Sequence, residues 1–197
     1  MTKKIWPIFG LLMFVLIANT FGQKFKVLEG NKEILKGQKE INILFDYSHL
    51  AVGKYDDEAD YIAKKKVDYN KKESGKGTTW EKAWKGDRAK RYEPQFIELF
   101  NKYGEGMEVG NFASAKYTMT VTTTFVEPGY NIAISRKNAE IDGEIIITET
   151  GNPDKVVLRI SYKGAQGKTF GGGDYDTGLR IQEAYAKLGK ELGQYFN

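Results

Sequence analysis

Hydrophobic residues recur along this chain at two spacings, and each change of spacing marks a change of element. Phe25-Lys26-Val27-Leu28-Glu29 alternates weakly and runs into Gly30-Asn31, a turn signal. Ile41, Ile43, Phe45 and Tyr47 share one face at a period of two, which predicts a strand over 41–47. From Tyr55 the spacing becomes helical. Tyr55, Ala59 and Ile62 form one stripe, with Tyr61 and Tyr69 in a second row. Asp56, Asp57, Glu58 and Asp60 come first, and Lys64, Lys65, Lys66, Lys71 and Lys72 follow. Acid at the start and base at the end suit the helix dipole, so a helix is expected over 55–72.

Thr78-Thr79-Trp80-Glu81 has the form of a capping box, with Thr78 as cap and Glu81 three residues on. Trp80, Trp84, Arg88, Tyr92, Phe96, Leu99, Phe100 and Tyr103 then keep helical spacing to about residue 103. Pro94 lies inside this run and must kink the helix or stand in the first turn of a second one.

The second half reads as β. Tyr117, Met119, Val121, Thr123 and Phe125 alternate with Thr118, Thr120, Thr122 and Thr124, until Glu127-Pro128-Gly129 breaks the strand. Residues 139–150 and 156–162 repeat the pattern around the turn Gly151-Asn152-Pro153-Asp154, which predicts an antiparallel hairpin. Ile181, Ala184, Tyr185, Leu188, Leu192 and Tyr195 mark an amphipathic C-terminal helix. Strands and helices in separate runs define an α+β fold. The expectation is a mixed, mostly antiparallel sheet of four or five strands, with about three helices packed mainly on one face.

Composition changes the picture at the N-terminus. Lys3 and Lys4 precede an apolar stretch over 5–18, and Asn19-Thr20-Phe21-Gly22 leads into polar sequence at Gln23. This is the layout of a secretory signal peptide cut after Gly22, leaving a single domain over 23–197. The apolar stretch is shorter than the roughly 20 residues of a spanning helix, so no stable span is expected once the leader is removed. The chain has no cysteine. Lipidation at a cysteine, disulfides and thiolate metal sites are therefore excluded. Of 30 basic residues, 28 remain after the leader, against 26 acidic ones. That balance and the export signal both argue against a nucleic-acid partner.

The segment most suggestive of chemistry is Gly164-Ala165-Gln166-Gly167-Lys168-Thr169, which ends like a phosphate-binding loop. That loop needs a glycine five positions before the Gly-Lys, where this chain has Tyr162. Phe170 and three glycines follow instead of a helix, and Asp174 or Asp176 caps the next one with a carboxylate where phosphate would sit. The segment reads as a joint between strand and helix.

His49 is the sole histidine, so a histidine-based relay or zinc site has to be built around it. The acidic cluster 56–60 lacks calcium-loop spacing, and a two-carboxylate hydrolase pair cannot be chosen from 26 acids. No cofactor is implied. Trp80, Trp84 and Arg88 share a stripe that would be adhesive if exposed and core if buried. Glu127, Tyr130 and Asn131 belong to a rigid, polar and aromatic loop at a strand end, which suits a binding edge or a plain turn.

The segments "INILFDYS", "WKGDRAKRYEPQFIELFNKY", "TTTFVEPGYNIAI" and "IQEAYAKLGKELGQYF", with a leader ending in Phe-Gly-Gln, resemble a family of small exported proteins typical of Bacteroidetes-type bacteria. The resemblance supplies no catalytic residues. The strand-rich segment closed by a terminal helix is distantly similar, at the level of fold, to periplasmic α+β domains such as the curli secretion lipoprotein and the N-terminal domain of TolB. The export signal and the lack of a recognisable catalytic constellation point to an exported, non-enzymatic envelope module that binds a protein or another envelope component, in the periplasm, at the outer membrane or outside the cell. The alternatives are an envelope hydrolase using carboxylates or His49, and a carrier of a small ligand.

If the glycine-rich joint holds no phosphate, Lys168→Ala leaves thermal stability and nucleotide affinity unchanged. Loss of measurable nucleotide binding in that variant, against binding by the parent protein, would overturn the reading.

Overall fold

The computed structural model describes residues 24–132, 134–167 and 176–197. The leader therefore lies outside the described residues, as do Lys168, Thr169 and Asp174 of the glycine-rich joint.

The chain is α+β. The strands are β1 (Lys24–Gly30), β2 (Glu40–Asp46), β3 (Ala51–Val52), β4 (Glu108–Gly110), β5 (Tyr117–Glu127), β6 (Tyr130–Asn131), β7 (Arg136–Lys137), β8 (Ala139–Glu149) and β9 (Asn152–Gly167). The helices are α1 (Glu58–Lys72), α2 (Lys76–Asp87), α3 (Glu93–Tyr103) and α4 (Thr177–Phe196). A single π-type turn at Arg88–Tyr92 joins α2 to α3, so the helical mass forms three rods. Pro94 stands just after this π-type turn, in the first turn of α3, so the irregular hydrogen-bond register lies where a proline cannot donate.

Seven strands form one sheet in the order β1-β9-β8-β5-β2-β4, with β3 also paired to β5. The four or five strands expected from periodicity are the long ones. The additional strands, β3 and β4, have two and three residues, too few to display a period. The long pairings β1–β9, β8–β9 and β5–β8 are antiparallel. β2 lies parallel to both β5 and β4, because helices α1 to α3 carry the chain back across before β4 begins. β6 and β7 form a separate small hairpin.

One face of the sheet carries the core. Ile141, Ile145 and Ile147 of β8 lie beside Leu158, Ile160 and Tyr162 of β9 and Met119 and Val121 of β5, all buried. The predicted alternation of β5 breaks at a bulge between Thr123 and Phe125. Beyond the bulge Val126 is the buried residue and Phe125 is only partly so, because an extra residue in one strand reverses the facing of all that follow.

α4 lies over β8 and β9, and α3 lies against α4. Ile181, Ala184, Tyr185, Leu188 and Leu192 are its buried face, as the sequence spacing predicts. Gly189 and Gly193 stand on that face opposite α3. A Cβ at Gly189 would meet the Phe96 carbonyl oxygen, and one at Gly193 would lie 2.8 Å from the Phe100 carbonyl oxygen. The two helices therefore pack backbone to backbone.

Two helix starts differ from the sequence reading. α1 begins at Glu58 with Asp57 as cap, its side chain accepting from Ala59 N, because Val52 and Tyr55 are already tied in a tight turn. α2 begins at Lys76 after Gly75 in the left-handed region, not at a Thr78 cap. The Asn70 side chain of α1 takes the Gly77 N–H at 2.8 Å, and Glu81 pairs with Lys66 and Lys85, so neither end of the supposed box forms. A tertiary partner has replaced a local one.

Gly189→Ala should lower the urea midpoint. A crowded methyl typically costs about 1–3 kcal/mol, against a helix-propensity gain of up to ~1 kcal/mol. A rise in the midpoint would show that α3 and α4 do not need this close approach.

Candidate binding edge

The 127–137 segment is built outward from a buried cation. Arg180, one turn into α4, is 3 % exposed. Its Nε donates to the Pro128 carbonyl at 3.2 Å, and one terminal nitrogen donates to the Gly129 carbonyl at 3.2 Å and to Thr177 Oγ1 at 2.9 Å. Gly129 itself has φ +63, and a Cβ there would run into the backbone of residues 137–139. Glu127 closes the root: one carboxylate oxygen accepts from Gly129 N at 3.0 Å, the other from Lys137 Nζ at 2.6 Å. β6 and β7 then project from this clamp, and Tyr130 OH lies 3.1 Å from Ser135 Oγ across the hairpin.

Three large apolar side chains of this hairpin face outward, beside the exposed polar residues Ser135, Arg136 and Lys137. Tyr130 is 43 % exposed, Ile132 60 % and Ile134 94 %. Glu127, Tyr130 and Asn131 stand out in the sequence as a stiff polar loop, whereas Ile132 and Ile134 beside them do not. The signal was present: Tyr130, Ile132 and Ile134 alternate at a period of two immediately after a Pro-Gly break, and no long strand is there to bury them.

A groove of about 430 Å³ opens at the hairpin root, lined by Lys54, Tyr55, Tyr61, Lys64, Lys65 and Pro128 among others. Tyr61 links this groove to the tryptophan stripe. Its ring centroid lies 5.8 Å from that of Trp80 and 5.1 Å from that of Trp84, and Trp80 also stacks on Tyr69 at 5.6 Å. Trp84 is 8 % exposed and donates its indole N–H to Glu58 at 2.6 Å. Arg88 pairs with the same carboxylate and lies over the Tyr47 ring at 4.3 Å. Trp84 and Arg88 thus seal α1 against α2, and Trp80 is half-covered. The stripe stands behind the groove wall.

Deeper still, Tyr185 and Tyr162 are fully buried, and Thr123 Oγ1 lies 2.7 Å from the first hydroxyl and 3.3 Å from the second. Burial pushes the Tyr185 hydroxyl up to about 12 and raises that of Tyr162 as well, so both stay protonated.

His49 lies in a notch of about 280 Å³ with Asp56, Asp57 and Glu58. His49, Asp56 and Asp57 are exposed, Asp57 caps α1 and Glu58 is held by Trp84 and Arg88. Among the described residues no group of three or more His, Cys, Asp or Glu side chains is placed to hold a metal ion.

At the other end of the glycine-rich joint, Asp176 is the cap of α4, accepting from Gly178 N at 2.7 Å and Leu179 N at 3.3 Å. Burial works to raise its pKa, but the hydrogen bond from Arg91 and those two amides outweigh it and hold the carboxyl below its ordinary value. The dipole end of this helix is therefore occupied by a side-chain anion, as the sequence argument anticipated.

Fold and edge together define a two-layer α+β domain with a clamped apolar hairpin. No family model matches the chain, and no curated protein matches it. Among solved structures the chain is similar to the PelC dodecamer from Paraburkholderia phytofirmans, at 11 % identity and a TM-score of 0.36, over 84 % of this chain and 96 % of that one. A likeness that distant carries no argument. The resemblances to an exported family and to envelope-assembly domains gain no support from sequence matches. Among the described residues no helix is long and apolar enough to cross a membrane.

Arg180→Met should release the clamp. The loss of charge-assisted hydrogen bonds costs about 2–3 kcal/mol, and limited proteolysis should cut within 127–138 well before the parent protein is cut. Equal protease resistance would show that the hairpin root does not depend on Arg180.

Proposed function

We propose that this chain is a non-enzymatic binding or assembly module of the cell envelope, exported by its N-terminal leader. It engages a protein or another envelope component through the 127–137 edge. One observation carries the reading: Ile132 and Ile134 are held out in solvent on a hairpin whose root is fastened to α4 by a buried arginine. Exposing apolar side chains works against solubility, and spending a buried charge to hold them there makes sense when they meet a partner. Glu127, Tyr130 and Asn131 form the near side of that contact. Trp80, Trp84 and Arg88 support it from behind by fixing α1 and α2 at the groove.

The binding reading fits the geometry better than its rivals. A hydrolase would work from the notch at His49, where Asp57 and Glu58 are already engaged in capping and ion pairing. A carrier would need an apolar void under the sheet, a space filled by Tyr162, Tyr185 and Phe96.

A photo-crosslinking residue in place of Tyr130 tests the proposal in the native envelope. It should capture a discrete envelope component, and Ile132→Ser with Ile134→Ser should abolish the capture without changing the melting temperature. Unchanged capture by the double variant, or co-purification of a small molecule alone, would defeat it.

A further inference from the structure

Building on that reading, we infer that the component met by the hairpin is an anionic lipid surface, into which Ile132 and Ile134 insert with Tyr130 at the headgroup level. The apolar tip is small. A stable protein interface buries roughly 800 Å² on each partner, and three apolar side chains set between polar residues offer far less. A fluid interface makes no such demand, because it closes around whatever enters it. Ile134, at 94 % exposure, stands clear of its own protein on nearly every side. A flat protein surface would touch such a side chain on one side only.

The chemistry is ordered along the hairpin. The isoleucines lie furthest from the clamp. Tyr130 follows, two residues before Ile132 in the first strand of the hairpin, its hydroxyl within 3.1 Å of Ser135 Oγ. An amphipathic ring at this height suits the boundary between acyl chains and headgroups. Cations come next. Arg136 and Lys137 form β7, and Lys54, Lys64 and Lys65 line the groove at the root. The acids near them are Glu127, which pairs with Lys137, Asp68, which pairs with Lys64, and Glu140, which lies opposite Glu127 in the sheet and near Lys137. Five cations against three carboxylates leave this end of the molecule positive, on a chain whose overall charge is close to balanced. Positive charge around an apolar tip is what an anionic headgroup layer attracts.

The hairpin root is also fastened. Insertion is favourable when the apolar side chains need no ordering at the moment of contact. The Arg180 clamp and the Glu127 bonds order the hairpin root in advance.

The test is co-sedimentation of residues 23–197, which contain every core residue among those described, with vesicles of phosphatidylethanolamine and phosphatidylglycerol or of phosphatidylcholine alone. The protein should sediment with the anionic vesicles and much less with phosphatidylcholine. Ile132→Ser and Ile134→Ser should each weaken partitioning about tenfold, while Leu44→Ser, at a 53 % exposed site on the open sheet face, should change nothing. Sedimentation of the Ile132→Ser, Ile134→Ser double variant at the parent level would overturn the inference, as would a parent protein that stays in the supernatant with both vesicles. If the vesicles fail while the crosslinker at position 130 still captures a protein, the lipid inference falls and the binding-module reading survives. If both fail, both fall.

Discussion

The seating of α4 on β8 and β9 is the contact on which the rest depends. It requires room that only missing side chains provide. Gly143 of β8 leaves space where a Cβ would lie 2.6 Å from the Tyr162 hydroxyl, and Gly167 lets the end of β9 approach the first turn of α4. Gly189 and Gly193 do the same on the opposite side for α3. With the helix drawn in this far, Tyr185 reaches Thr123 in the sheet beneath it. The polar tips of two large aromatic residues are thereby satisfied inside an otherwise apolar layer, and burial adds stability without an orphaned hydroxyl at either one.

The candidate edge inherits its position from that seating. Arg180 lies within the same helix, so where α4 rests determines where the guanidinium points. A charge this deeply buried is tolerable only because carbonyls and a hydroxyl surround it. The consequence is a fastened loop: the chain leaves β5 at Glu127, turns through Gly129 and presents its isoleucines in a direction set by the core. Core packing and the placement of the hairpin are in this way tied through one side chain, Arg180.

The helical side of the molecule shows a second use of aromatic residues. Tyr61, Tyr69, Trp80 and Trp84 pack between α1 and α2, while Gly77 brings the two backbones together over Lys66 and Asn70. Such a cluster gives a short helical hairpin the rigidity that α1, which has few contacts with the sheet, could not draw from the core. It also shapes one wall of the groove, through Tyr61.

Much of this was legible beforehand. The strands over 41–47, 117–125 and 139–162, the terminal helix, the irregular turn before Pro94 and the cap at Asp176 all follow from local periodicity and from which backbone and side-chain groups can satisfy a helix. The candidate edge was half legible: Glu127, Tyr130 and Asn131 stood out as a stiff loop, but the exposure of Ile132 and Ile134 did not, because an isoleucine reads as core until the fold leaves it nothing to pack against. The bulge that turns Val126 inward, the short strands β3 and β4, the parallel placement of β2 and the replacement of a Thr78 cap by Asn70 were likewise decided by partners distant in sequence. The sequence by itself determined the elements, since periodicity and capping act over a few residues. The tertiary structure alone decided that Arg180 would be buried and the isoleucines left outside, because burial is a property of what the rest of the chain covers.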